Sequence, residues 1–224
     1  TQPESSAASD VYKRQNEIAG MGFQMNTHAI GDSTVSVLLK EYQKVLNDIE
    51  DPRWRIEHSQ VVDLNEFELY NDKILPSVQP THATSDMYWA YDRLGKRIDG
   101  AYAFKDLLSQ SKRIALGTDF PVEKVNPFHT FYSSIERKDL NGYPENGFQI
   151  ENALTREETL KGMTIWGAYF NFEEDEKGTI EKGKSADFII IDQNIMKIEA
   201  DKIPYTKVLK TFVDGELVFQ KDAL

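Results

Sequence analysis

Three side chains in this sequence have the types and the spacing of a metal site. His28, His58 and Asp119 each end an apolar, β-prone segment and precede a loop. Two imidazoles and a carboxylate suit zinc or a related divalent metal, and they leave a coordination position open for water. His82 follows a further β-prone segment and Gln79–Thr81, so it could bind a substrate at the same place. The predicted ligands lie on separate strands, with at least one helix between them in the sequence. The prediction of a metal site therefore depends on the fold.

Each of these residues also has a structural interpretation. A single histidine near a strand end is more often hydrogen-bonded within the fold than bound to a metal. Asp119 could cap the turn before Pro121, and His82 could be a turn residue. His129 lies in a loop-rich region, where we expect it to be structural or exposed. The metal prediction therefore requires that the fold bring the three ligands together.

The segments that must position these residues alternate between strand and helix. Strands are predicted at Phe23–His28, Trp54–His58, Leu75–Gln79 and Arg113–Thr118. Helices are predicted over Val35–Ile49, from the capping pattern of Asp63 and Glu66, and over Ala101–Gln110. Such alternation implies a parallel sheet. In a parallel αβ barrel the functional residues lie at the carboxyl ends of the strands, where these residues stand.

The pattern changes in the second half of the chain. Asn126-Pro127 opens a long segment predicted to be rich in loops, and Thr155–Glu158 is a capping box that predicts a helix through about Ala168. Short antiparallel strands are then predicted at Asp187–Asp192, Val208–Val213 and Glu216–Phe219. Asp214-Gly215 predicts a tight hairpin between the last two strands. The tail is therefore predicted to be a small β-subdomain.

Composition narrows the classes of function. With 224 residues the chain is long enough for one domain or for the larger part of a barrel. A net charge of -11, with no cluster of Lys and Arg, argues against a nucleic-acid surface. No apolar run is long enough to predict a membrane span. The chain has no cysteine, which excludes thiolate ligands and is compatible with the cytoplasmic location that we expect.

Ordered motifs across the chain resemble the YtcJ-like branch of the amidohydrolase superfamily. They are Thr27–Asp32, Arg55–Gln60, Ser77–His82 and Gly117–Pro121. A further segment, Gly178–Phe188, resembles the point at which the chain in this family re-enters its small β-sandwich. The resemblance runs from about Asn16 to the C terminus.

The resemblance implies an α/β fold in two parts. Residues 16–175 would form the C-terminal half of a (β/α)8 TIM barrel, and residues 176–224 the C-terminal strands of a β-sandwich. His28 and His58 would be metal ligands on the fifth and sixth strands. Asp119 would end the eighth strand, bind metal and take the proton of the attacking water, and His82 would contact a small-molecule substrate. The implied reaction is metal-dependent hydrolysis of carbon–nitrogen bonds in non-peptide or cyclic amides, with one or two ions, zinc by expectation.

The chain also departs from this family. Its members use a His-x-His pair on the first strand and commonly a carboxylated Lys or a Glu on the fourth, and neither is present in this sequence. Asp10–Gln15 resembles the translation of a transposon end left by a common sequencing-library method, so residues 1–15 are predicted to be a non-native tail. We therefore expect a fragment that lacks its upstream half and is poorly stable and inactive alone, because strand edges would be exposed.

Two other functions are compatible with the sequence. A non-catalytic half-barrel could bind a partner or ligand through the loops around Tyr143 and Phe148. A metal-independent barrel enzyme could use Asp119 as an acid or base, with structural histidines. The substrate, the number of metal ions and the oligomeric state do not follow from the sequence.

Overall fold

The computed structural model describes residues 14–222, so residues 1–13 of the predicted tail lie outside the described residues. The chain divides into two compact units, one formed by residues up to Val78 with Leu94–Ile114 and the other by Gln79–Arg93 with the residues from Ala115 onward. Among the described residues, residues 14–20 are helical, and the α-helices that follow, α1 to α6, are Asp32–Leu46, Pro80–Leu94, Phe104–Ser111, Pro127–Glu136, Arg156–Met163 and Ile165–Phe170. The strands of the same part of the chain, β1 to β7, are Asn26–Ala29, Trp54–His58, Ile74–Val78, Ala115–Leu116, Phe188–Ile191, Val208–Val213 and Glu216–Gln220.

The first unit contains the parallel strands β1, β2 and β3. β1 pairs with β2, and β2 pairs with β3. Ile56, in the middle of β2, lies opposite Thr27 on one side and Pro76 on the other. The predicted parallel sheet is confirmed, and β2 has its predicted bounds.

Helix α1 connects β1 to β2. Its apolar residues recur at helical spacing and form its buried face, namely Val35, Leu38, Leu39, Tyr42 and Leu46. Asp32 in the first turn and Lys44 in the last turn complement the helix dipole. Because the helix returns the chain in the same direction, β1 and β2 present their carboxyl ends at one edge of the sheet.

Tyr42 is a buried titratable group in the core of this unit. Its ring packs edge-on against Trp54 with 4.9 Å between the ring centroids, and its hydroxyl and Thr27 Oγ1 are hydrogen-bonded at 2.5 Å. Burial raises the pKa of Tyr42 from 10.0 to about 12. The stability that this raised pKa contributes is therefore fully present below pH 10 and is lost as the pH rises through about 12.

We expect Tyr42→Phe to flatten this alkaline loss of stability. In the wild type, the phenol ionises at a lower pH in the unfolded chain than in the folded protein, and this lowers the unfolding free energy as the pH rises. The unfolding free energy of the phenylalanine variant should therefore fall by roughly 2–3 kcal/mol less than that of the wild type. Urea unfolding at a series of pH values from 9 upward measures the difference. Tyr205→Phe is the matched control, because Tyr205 is 69% exposed. An equally steep alkaline loss in Tyr42→Phe and in wild type would contradict the expectation.

The segment after β2 differs from its prediction. The helix predicted from Asp63 and Glu66 is wrong, since the chain forms only one 3-10 turn, Phe67–Leu69. The Asp63 carboxylate accepts hydrogen bonds from the backbone and side-chain nitrogens of Asn65. These bonds close an Asx turn, which competes with helix formation.

Two helices of the second unit, α2 and α4, begin at a proline. The prediction of a loop-rich segment after Asn126 is wrong for residues 127–136, because Asn126 Oδ1 accepts from Phe128 N at 3.0 Å and caps α4. Proline suits the first helical position, where its missing N–H would have had no partner. Pro80 begins α2, which places His82 in a helical turn and not in a turn between strands. β4 is shorter than the predicted Arg113–Thr118 strand.

The capping box at Thr155 is confirmed. Thr155 Oγ1 accepts from Glu158 N at 3.2 Å, and Glu158 Oε2 accepts from Thr155 N at 2.8 Å. The helix ends sooner than predicted, because Thr164 has φ -132 and ψ -98 and separates α5 from α6. The capping motif therefore predicts where the helix starts but not where it ends.

The second unit ends in an antiparallel sheet of order β5-β6-β7, as predicted. Phe188 and Phe212 stack across β5 and β6 with 4.5 Å between ring centroids. Asp214 and Gly215 have φ values of 51 and 80, which are the positive angles of a type I′ hairpin turn. Within residues 14–222, the helices are too short or too polar to cross a membrane.

Candidate functional site

Two predicted metal ligands lie side by side in the first unit. His28 is in β1 and His58 is the last residue of β2, where it pairs in register with Ala29. The imidazole rings are edge to face, with 4.5 Å between their centroids and 77° between their planes. The parallel pairing of the two strands thus brings together two nitrogen donors that are thirty residues apart in sequence.

The backbone at the end of β2 is held in an uncommon conformation. His58 has φ 72 and Ser59 has φ 44. Residues other than glycine seldom adopt such positive φ values. Ser59 Oγ donates to Ile56 O at 3.0 Å and accepts from the buried Tyr70 hydroxyl at 2.8 Å. Backbone strain of this kind persists only where the surroundings fix it, and it is concentrated at functional sites.

The other two predicted site residues meet in the second unit. His82, in the first turn of α2, places Nε2 at 3.2 Å from Asp119 Oδ2. Asp119 follows β4 and has φ 56, so it too stands at a strand end with a left-handed backbone. The side chain of His82 is 12% exposed and that of Asp119 is 36% exposed. The predicted substrate residue is therefore in direct contact with the predicted catalytic carboxylate.

Sequence reasoning missed one member of this group, Glu123. Its Oε1 lies 3.4 Å from His82 Nδ1 and accepts from the Ser85 hydroxyl at 2.6 Å. A turn closed by Val122 N donating to Asp119 O at 2.8 Å returns the loop toward His82. The signal in the sequence is the spacing Asp-x-Pro-x-Glu after β4, because a tight turn there brings both carboxylates to one side.

His82 is thus held between two carboxylates, one at each ring nitrogen. A hydrogen bond at one imidazole nitrogen fixes the tautomer and so decides what the other nitrogen can do. Glu123 therefore restricts the orientation of the His82 ring. His129 is not part of this group, since its Nε2 is hydrogen-bonded to Asn126 at 3.2 Å.

The side chains that each unit presents are of the kinds that bind divalent metals. The first unit has the imidazoles of His28 and His58, and the second has the imidazole of His82 and the carboxylate of Asp119, which are 3.2 Å apart. Nitrogen and oxygen ligands of this kind suit zinc and related first-row metals.

Comparison with known proteins shows strong similarity along the chain. A model described as the amidohydrolase family matches residues 3–219. YtcJ, named as an amidohydrolase of Bacillus subtilis (strain 168), is 31% identical over 208 residues, which are 89% of this chain and 38% of that protein. The N-substituted formamide deformylase of Arthrobacter pascens is 21% identical over 221 residues, covering 95% of this chain and 40% of its own. The chain therefore spans about two fifths of these relatives.

Solved structures match the fold over a similar share. An uncharacterized metal-dependent hydrolase of Pyrococcus horikoshii OT3 has a TM-score of 0.72 at 25% identity, covering 86% of this chain and 38% of that one. A second uncharacterized metal-dependent hydrolase, from Pyrococcus furiosus, has a TM-score of 0.69 at 27% identity. The match covers 83% of this chain and 38% of that one. The mixed α/β fold with a parallel sheet and a small antiparallel sheet is therefore that of these hydrolases over the matched part.

Proposed function

The chain belongs to the amidohydrolase family, and on that premise we propose that it contributes the C-terminal part of the active site of a metal-dependent hydrolase. The observation that carries the proposal is the placement of His28, His58 and Asp119 at strand ends, each beside another site residue. A family match over residues 3–219 supports it. Since the chain spans 38% of YtcJ, the activity proposed is that of the whole enzyme.

His28, His58 and Asp119 are the residues that we propose hold a divalent ion, with zinc the best match for this donor set. A bound ion of this kind lowers the pKa of a coordinated water and polarises a carbonyl group. The remaining chemistry is supplied by the side chains. Asp119 takes the proton of the attacking water and passes it to the leaving amine as the carbon–nitrogen bond breaks. The hydroxyl group of the water is thereby added to the carbonyl carbon, which gives the acid product, and its proton goes to the amine product.

His82 has a supporting role in this scheme. Its Nε2 lies 3.2 Å from Asp119 Oδ2, close enough to orient that carboxylate. Glu123 holds the opposite ring nitrogen at 3.4 Å. His82 and Glu123 therefore hold Asp119 in position before a substrate binds. Such preorganisation of polar groups accounts for much of the rate enhancement of many enzymes.

We propose small, non-peptide amides or cyclic amides as the substrates. The support is the family and the name of one relative, a deformylase of N-substituted formamides that is 21% identical to this chain. The sequence has no His-x-His pair, so we propose that further ligands come from a part of the protein outside these 224 residues. The 224-residue chain alone should then show no hydrolysis.

The test is turnover by a full-length protein that contains this chain. We expect amine release from N-substituted formamides or cyclic amides, loss of that activity after EDTA treatment, and its recovery when zinc is added back. Activity that the chelator leaves unchanged would favour a metal-independent enzyme with Asp119 as acid or base. Metal binding without turnover of any amide would favour a non-catalytic binding module.

A further inference from the structure

A cavity of about 340 Å³ lies within the second unit. Its walls come from α2, from the loop between β4 and α4, and from α4 and the segment after it. Ser85 and Glu123 line it, and they are the residues that contact each other beside His82. The cavity is therefore next to the proposed catalytic group, but most of its walls have no role in the reaction described above.

His129 lines this cavity, and its hydrogen bond with Asn126 indicates the tautomer of its ring. Asn126 Oδ1 is occupied as the cap of α4, so the amide nitrogen of Asn126 is the atom 3.2 Å from His129 Nε2 and it must donate. Nε2 is therefore the acceptor, and the ring proton is on Nδ1. Burial and the nearby charge of Lys124 lower the pKa of His129, which favours this neutral form.

Lys124 and Thr81 add donors to the same cavity. Lys124 is exposed and its ammonium forms no ion pair with any residue between 14 and 222. Thr81 is buried, and its Oγ1 has no hydrogen-bond partner within that same part of the chain. A buried hydroxyl without a partner is costly, so an acceptor brought by a ligand would be favoured there.

The acceptors of the cavity are already engaged. Asp139 accepts from the Tyr88 hydroxyl at 2.5 Å and from the backbone nitrogens of Asn141 and Tyr143 at 2.8 and 2.9 Å. Burial raises the pKa of Asp139, but these hydrogen bonds outweigh it and leave the pKa below its ordinary value. Glu123 accepts from Ser85 and faces His82. The groups that remain available are mainly donors, one of them a cation.

We propose that this cavity binds a carboxylate group carried by the substrate, through Lys124, the Nδ1–H of His129 and the Thr81 hydroxyl. The identification of this ligand as a substrate rests on the proposed function. It narrows the substrate class to amides that bear a carboxylate near the scissile bond. Lys124 supplies the complementary charge, and the two neutral donors supply direction.

The experiment measures binding and not turnover, in the full-length protein with EDTA present so that no metal can hold the probe. N-acetylglycine is compared with its neutral analogue N-acetylglycinamide and its cationic analogue N-acetylethylenediamine. We expect the acid to bind about tenfold more tightly than either analogue, the difference that one charge-assisted hydrogen bond typically gives. Lys124→Met should remove most of that preference, and Lys207→Met, an exposed lysine of the same unit outside the cavity, should keep it.

Thr81→Val provides a second variant with little risk to folding. Its hydroxyl makes no hydrogen bond in residues 14–222, so thermal stability should be equal to or higher than that of the wild type, while affinity for the acid falls by a few fold. Equal affinity for the three probes, tighter binding of the amine, no measurable binding of the acid, or an intact preference in Lys124→Met would each overturn the proposal. Because neither metal nor hydrolysis enters this measurement, failure of the proposed reaction would show in the turnover assay and not here.

Discussion

Asp119→Asn is expected to lower kcat by about a thousandfold, within the range typical of a lost general base, while KM changes little. The amide has nearly the same shape and can still hydrogen-bond His82, whose Nε2 lies 3.2 Å from the carboxylate. It cannot accept the proton of the attacking water. Steady-state kinetics on the full-length protein, saturated with zinc, measures the effect.

The control for this prediction is Asp175→Asn. Asp175 is exposed and lies in a turn far along the chain from the strand ends, so the same chemical change there should leave kcat unaltered. Asp119 is also a proposed ligand, so metal content must be measured in both variants. If Asp119→Asn kept its metal and retained kcat within about tenfold of the wild type, less than general-base catalysis ordinarily contributes, the assigned role in proton transfer would be wrong.

His58→Asn is expected to weaken metal binding by about a hundredfold or more, at least as much as the loss of a residue that only supports a ligand. Asparagine is chosen because His58 has φ 72, and asparagine tolerates a left-handed backbone better than alanine does. The variant therefore removes the imidazole with little added backbone strain. Zinc affinity, measured by competition with a chromophoric chelator, reports the change.

His129→Asn is the matched control for this substitution. His129 is hydrogen-bonded to Asn126 and is not among the proposed ligands, so zinc affinity should stay at the wild-type value. The thermal stability of the metal-free proteins shows whether either change has disturbed the fold. Equal zinc affinity in His58→Asn and wild type would exclude His58 as a ligand.

Strand β2, which carries His58, could be predicted because its boundaries are local, whereas β1 spans Asn26–Ala29 and not the predicted Phe23–His28. Trp54–His58 is a short β-prone run that follows a proline, and its bounds are those predicted. α1 could be predicted from the spacing of its apolar residues. In both cases, the spacing of residues within the element itself determines whether it is a helix or a strand. The alternation of such elements then indicates a parallel sheet.

The missed elements depended on information that is not local. Pro80 and Pro127 are the first residues of helices, but a proline is equally compatible with a loop until the residues after it are seen to pack. Glu123 joins the site only through the turn at Asp119. The contact of His28 with His58 depends on strand register, which the sequence leaves open until the strands are paired.

If His28, His58 and Asp119 bind a catalytic metal, the full-length protein should retain that metal through dialysis that removes loosely bound ions. Elemental analysis of the dialysed protein should find roughly one or two divalent ions per chain, with zinc predominant, and clearly less bound metal in His58→Asn. Less than one bound divalent ion per chain, in a preparation that hydrolyses amides at its full rate, would show that the reaction does not depend on a metal at this site.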